Sequence, residues 1–117
     1  MRDAYREELD AITAGLEQMA RLAASAIGRA TTALLDADLE LAETVIAADA
    51  QVDQWQLDLE ERAIAVLARQ QPVATDLRTV VTALRISAEL ERSGDLALHV
   101  AKLARHRYPD HAVPKEL

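Results

Sequence analysis

The sequence has no proline before Pro72 and none between Pro72 and Pro109, and apolar residues recur at heptad spacing throughout. A pattern sustained for some thirty residues at a time admits long amphipathic helices and little else. The first segment, roughly 3–35, carries Leu9, Leu16, Ala23 and Ala30 in one register and Tyr5, Ile12, Met19, Ala26 and Ala33 in the other. The second, roughly 38–70, repeats Val45, Val52, Leu59 and Val66, with Ala42 and Ala63 beside them. The third, roughly 75–107, repeats Leu77, Leu84 and Leu98, with Val81 and Ala88 alongside. Breaks fall at Asp36-Ala37-Asp38 and at Gln71-Pro72, and Thr75 or Asp76 is the expected N-cap of the third helix. Connections this short force neighbouring helices to run antiparallel. The expected fold is therefore all-α: an antiparallel three-helix bundle over residues 1–108, followed by an exposed linker at 109–117.

Composition narrows the function classes. Half of the 117 residues are apolar, yet there is no Phe, and Tyr5, Trp55 and Tyr108 are the only aromatics. Trp55 reads as a packing residue between helices. The chain has no Cys, which removes disulfides, thiolate metal sites and cysteine catalysis. A net charge of -7 and a pI near 4.9 argue against nucleic acid as a partner. No apolar run approaches the ~20 residues of a membrane span, and MRDAYREEL is too charged for a signal peptide. The expected location is the cytoplasm, with the inner face of the membrane reached only through partners.

Charge is unevenly spread. Segments 1–37, 38–71 and 72–117 carry -2, -6 and +1. The third helix bears Arg78, Arg85 and Arg92 at heptad spacing, either a solvated face that pairs with the acidic second helix or a partner-contact surface. Its Leu96, Val100 and Leu103 fall on the back of the helix. They suggest a second buried face, covered in a symmetric homodimer or by another part of a longer protein.

The most informative residues interrupt the apolar registers. Glu91 continues the Leu77-Leu84-Leu98 row and Asp95 the Val81-Ala88 row, so both are expected to point inward, one turn apart. On the second helix Asp49 follows the Ala42-Ala63 register, with Asp53 four residues on. Counted from the turn near residue 72, the two pairs lie at similar height on adjacent helices. Carboxylates crowded at one level need protonation, a base such as Arg92, or a cation. All-oxygen ligands suit magnesium, manganese, iron or calcium, with zinc less preferred. The plainer alternative is a solvated acidic patch on a metal-free helical interaction or dimerisation module. His99, four residues after Asp95, is either a further ligand or a surface residue. A di-metal oxidase would need Glu-x-x-His on two helices, which is absent, and no other catalytic motif stands in for it, so no enzyme is expected.

Certain blocks resemble the PhoU family. They are Gln70-Gln71-Pro72-Val73-Ala74-Thr75-Asp76-Leu77-Arg78, Ala83-Leu84-Arg85-Ile86, Glu89-Leu90-Glu91-Arg92-Ser93-Gly94-Asp95 and, upstream, Asp49-Ala50-Gln51-Val52-Asp53. The opening MRDAYREELDAI is similar to that family's first helix, so the resemblance spans the chain. It implies a helical negative regulator of the phosphate-starvation response that contacts the ATPase of the phosphate ABC transporter and a sensor histidine kinase. It also implies two tandem three-helix repeats, each with acidic motifs that bind metal, here Asp49-Asp53 and Glu91-Asp95. Because Glu-Arg-x-Gly-Asp occurs once, this chain is expected to be one repeat of a longer protein, a natural one-repeat homologue being the alternative. Glu89, Ser93, Leu96 and His99 depart from the usual residues of the family.

Overall fold

The computed structural model describes residues 2–70, 74–111 and 114. Three helices, α1 (Arg2–Asp36), α2 (Leu39–Gln70) and α3 (Ala74–Arg107), pack pairwise into a bundle of 58 × 23 × 17 Å. The order is up-down-up, as the heptads predict. The parallel α1 and α3 are joined near their N-termini by a 2.9 Å hydrogen bond that the Tyr5 hydroxyl donates to Asp76 Oδ2.

The break at Asp36-Ala37-Asp38 is where the sequence puts it. The amide of Asp38 donates to the carbonyl of Ala33 (3.0 Å), and Ala37 takes a φ of 52°. That is the six-to-one closure by which helices end, with alanine where glycine is usual. Asp38 then starts α2. Its Oδ1 accepts from the Leu41 amide at 3.0 Å, and its carbonyl from the Ala42 amide at 3.1 Å. The break at Gln71-Pro72 lies outside the described residues. Thr75 and Asp76 are not caps: α3 begins at Ala74, so both lie within its first turn. Of the expected tail, Pro109, Asp110 and Pro114 are exposed and His111 is half-buried, while residues 112, 113 and 115–117 lie outside the described residues.

Both registers of α1 and both of α2 face the core, with Tyr5 and Leu16 half-buried at its edge. On α3 the structure corrects the sequence reading. Of the expected rows, Leu84 packs half-buried against the core and Leu98 is half-buried, but Leu77 is 41% exposed, Val81 37%, and Ala88 is exposed too. The buried row is instead Val80, Ala83, Ser87, Gly94, Ala97, Ala101 and Ala104, a helix rotated by about one residue, or 100°. The large aliphatic side chains suggested the wrong face because α3 approaches its neighbours through small ones. Ser87 is admitted to the core because its hydroxyl donates to the Leu84 carbonyl at 2.8 Å.

The core has two halves. One is built on Leu9, Ile12, Met19, Val52, Leu59, Val66 and Val80. The other is nearly all alanine, with Ala26, Ala30, Ala33, Ala42, Ala97, Ala101 and Ala104 around Val45. Ala23, Asp49 and Gly94 fall between the halves along their respective helices. At that junction the core positions pass through Ala23, Asp49 and Gly94, and there the carboxylates gather.

Candidate metal centre

Asp49 occupies a core position of α2, one turn before Val52, and is half-buried. Asp53 flanks the core on the side toward α3, and Asp95 of α3 meets it there. Asp49, Asp53 and Asp95 each offer a carboxylate oxygen, and these atoms all lie within 4.8 Å of one another. The close approach depends on Gly94. A Cβ built there would stand 3.3 Å from Val52 Cγ1 and 4.0 Å from Asp49 Oδ1, so α3 reaches α2 at the height where a larger residue would hold it off.

Electrostatics records the crowding. Burial, followed by the charges of Asp53 and Asp95, pushes the Asp49 carboxyl above its ordinary value; Lys102 and His99 pull it partly back. Glu91 stands outside the three-carboxylate group. Partial burial raises its carboxyl first, followed by Asp95, Asp53, Glu60 and Asp49. The rotation of α3 changes the roles assigned from sequence. Glu91 and Asp95 do not point into the interior; they line the outer edge of the α2–α3 contact, and only Asp49 stands in the core row. Three of the four predicted residues are brought together, and the fourth lies beside them.

Glu60 and Lys102 belong to the neighbourhood and were missed. The signal was present, since each stands one heptad beyond a predicted residue, Glu60 from Asp53 and Lys102 from Asp95. His99 is exposed and acts on Asp49 by charge. Arg78, Arg85 and Arg92 are exposed, on the side of α3 away from the core. They do not pair with α2: among the described residues the one ion pair is Arg92 with Glu89 of its own helix, at 3.6 Å. Arg92 is therefore not the base that neutralises the cluster. Trp55 is half-buried against the larger core half, near Gly15 of α1, as expected of a packing residue. Leu96 and Leu103 are 62% and 46% exposed, whereas Val100 packs against the alanine half of the core.

Three carboxylates with no other donor type suit a hard cation, and a bound ion would offset their mutual repulsion. No helix among the described residues is long and apolar enough to cross a membrane.

Comparison with known proteins adds identity to this geometry. Residues 16–104 match the PhoU domain. The chain is 49% identical, over all of its 117 residues, to phosphate-specific transport system accessory protein PhoU homolog 2 of Mycobacterium tuberculosis, covering 55% of that protein. It is 48% identical over the same length to PhoU homolog 1 of Mycobacterium leprae, covering 53%. The crystal structure of PhoU from Pseudomonas aeruginosa superposes with a TM-score of 0.85 at 35% identity, over 87% of this chain and 49% of that one. The chain thus spans about half the length of the relatives it matches, and it belongs to the PhoU family.

Proposed function

We propose that this chain is one three-helix repeat of a regulator of phosphate uptake and of phosphate-starvation signalling. It acts on the cytoplasmic side by protein contact, with the phosphate ABC transporter ATPase and a sensor histidine kinase as its partners, and represses the response when phosphate is plentiful. Residues 109–117 are the linker to the rest of the protein. Membership of a family whose relatives are named as phosphate transport accessory proteins supports this reading. A strain lacking the gene for this chain, and carrying a phosphate-starvation reporter, tests it. Expression of the reporter should stay high in plentiful phosphate and fall when the gene is restored; a reporter indifferent to the gene would refute the assignment.

The repeat holds a divalent or trivalent cation through Asp49, Asp53 and Asp95, with Glu91 beside them. The single observation behind this is the convergence of three carboxylate oxygens within 4.8 Å. Magnesium, manganese and iron fit the donor set, and zinc fits it less well. The ion supplies positive charge that ties α2 to α3 and sets the charge of the face shown to partners. A second reading has its own support: Lys102 and His99 already act on Asp49, and in a metal-free interaction module they would temper the crowding. Calorimetric titration with manganese separates the two, since only the first gives saturable heat that disappears when the three aspartates become asparagine.

A further inference from the structure

The groove between α2 and α3 carries more than the carboxylates. Asp53 and Asp95 meet across it, and Glu60 acts on Glu91, so the flanks of both helices that bear these residues share one face. Heptad spacing places Leu57 and Ile64 of α2 on that face, one residue row outside Asp53 and Glu60. On α3 it places Leu77 in the row of Glu91, and Val81 in the row of Asp95. Those four side chains are 50%, 62%, 41% and 37% exposed, respectively. Antiparallel pairing sets Ile64 opposite Val81. The face is therefore an apolar strip toward the α2–α3 turn that runs into five carboxylates: Asp49, Asp53, Glu60, Glu91 and Asp95.

We propose that this groove docks a cationic amphipathic helix of a partner protein. Its apolar side chains would lie on Leu57, Ile64, Leu77 and Val81, and its Lys or Arg residues, one or two turns along, on the carboxylates. Leu57 and Ile64 stand seven residues apart on α2, and Leu77 and Val81 four apart on α3; both spacings match the i, i+4 and i+7 anchors of a helix laid in a groove. Charge selects the occupant. A second copy would add its own carboxylates to the groove, and an anionic membrane surface would be repelled. Arg78, Arg85 and Arg92 form the outer rim of α3, so acidic residues on that one flank of the incoming helix would complete the match. This inference rests on the reading of the chain as a contact-making regulator, and the binding test below is run in EDTA, so that it does not depend on whether the cluster takes an ion.

The probe is a fluorescent 18-residue helical peptide with leucine on one face and lysine on the other, titrated by anisotropy. Leu57→Ser with Ile64→Ser should weaken binding at least tenfold, because both side chains are exposed and the fold, checked by circular dichroism, should persist. Asp53→Asn with Glu60→Gln should weaken it and flatten its salt dependence. Leu96→Ser with Leu103→Ser, on the far side of α3, should change it less than twofold. Equal weakening by the Leu57/Ile64 and Leu96/Leu103 pairs would overturn the proposal, as would equal binding of a glutamate-for-lysine peptide. So would sedimentation showing a wild-type dimer that Leu57→Ser with Ile64→Ser disperses, since the groove would then belong to a second copy. Failure of the wild type to bind the peptide, with the phosphate response still dependent on the gene, would overturn the docking groove and leave the regulatory assignment standing.

Discussion

A half-buried carboxylate among like charges lowers the stability of the fold whenever it is ionised. Asp49 and Glu91 both titrate above their ordinary values of 3.8 and 4.5 in the folded protein. The folded state therefore takes up their protons at a higher pH than the unfolded chain does. Lowering the pH from neutral through the raised values relieves the repulsion, and these groups contribute nothing further below the ordinary values. In EDTA the bundle should gain stability as the pH falls from neutral toward the ordinary carboxylate values, and Asp49→Asn should raise the neutral-pH midpoint and flatten that dependence. A bundle that only loses stability on acidification would show the crowding to be absent. At the α1–α2 turn, Ala37 holds a φ of 52°, which costs an L-residue about 1–2 kcal/mol and glycine nothing. Ala37→Gly should stabilise the protein by about 1 kcal/mol after glycine's own entropy is set against the gain. Asp38→Ala should cost about 1 kcal/mol by removing the cap of α2. Denaturant midpoints at constant slope measure both.

At the scale of the element, α3 shows what apolar periodicity can and cannot reveal. The faces of α1 and α2 were legible because their core rows hold Leu, Ile, Met and Val among plainly polar neighbours. Beyond Val80 the core row of α3 holds only Ser87, Gly94 and alanines, while Leu77, Val81 and Leu96 stand outside it. Hydrophobicity therefore favours the wrong face, and only the fit of a narrow helix between two others decides. The carboxylate site was nonetheless readable, because the match in height between Asp49-Asp53 and Glu91-Asp95 depends on distance from the turn and hardly on helix rotation. The close approach at Gly94 was not readable, since in sequence that residue is only a poor helix former. Two truncations distinguish the registers. Val80→Ala should cost about 2 kcal/mol, as removal of a fully buried side chain does. Leu77→Ala should cost far less, because much of its surface already meets water. Gly94→Ala adds helix propensity of about 1 kcal/mol but forces its Cβ toward Val52, 3.3 Å away. It should leave stability nearly unchanged while weakening any ion held between Asp49 and Asp95, which titration of the variant with manganese would reveal.

Across the whole molecule, the junction between the two core halves joins the fold to its use. An ion bound there would stabilise the folded bundle alone, because the unfolded chain does not gather the three carboxylates. At a hundred times its dissociation constant such a ligand adds about 2.7 kcal/mol, or roughly 10 °C in the midpoint of a domain this size. The same ion would change the charge of the α2–α3 face, which would couple its occupancy to the partner contact proposed above. Thermal unfolding followed with and without excess manganese is the most direct test, run on the wild type and on the Asp49→Asn, Asp53→Asn, Asp95→Asn triple variant. The account predicts a midpoint that rises by roughly 10 °C with the metal in the wild type and stays fixed in the triple variant. A wild type indifferent to manganese and to the other hard cations, or a triple variant that keeps the full rise, would contradict it.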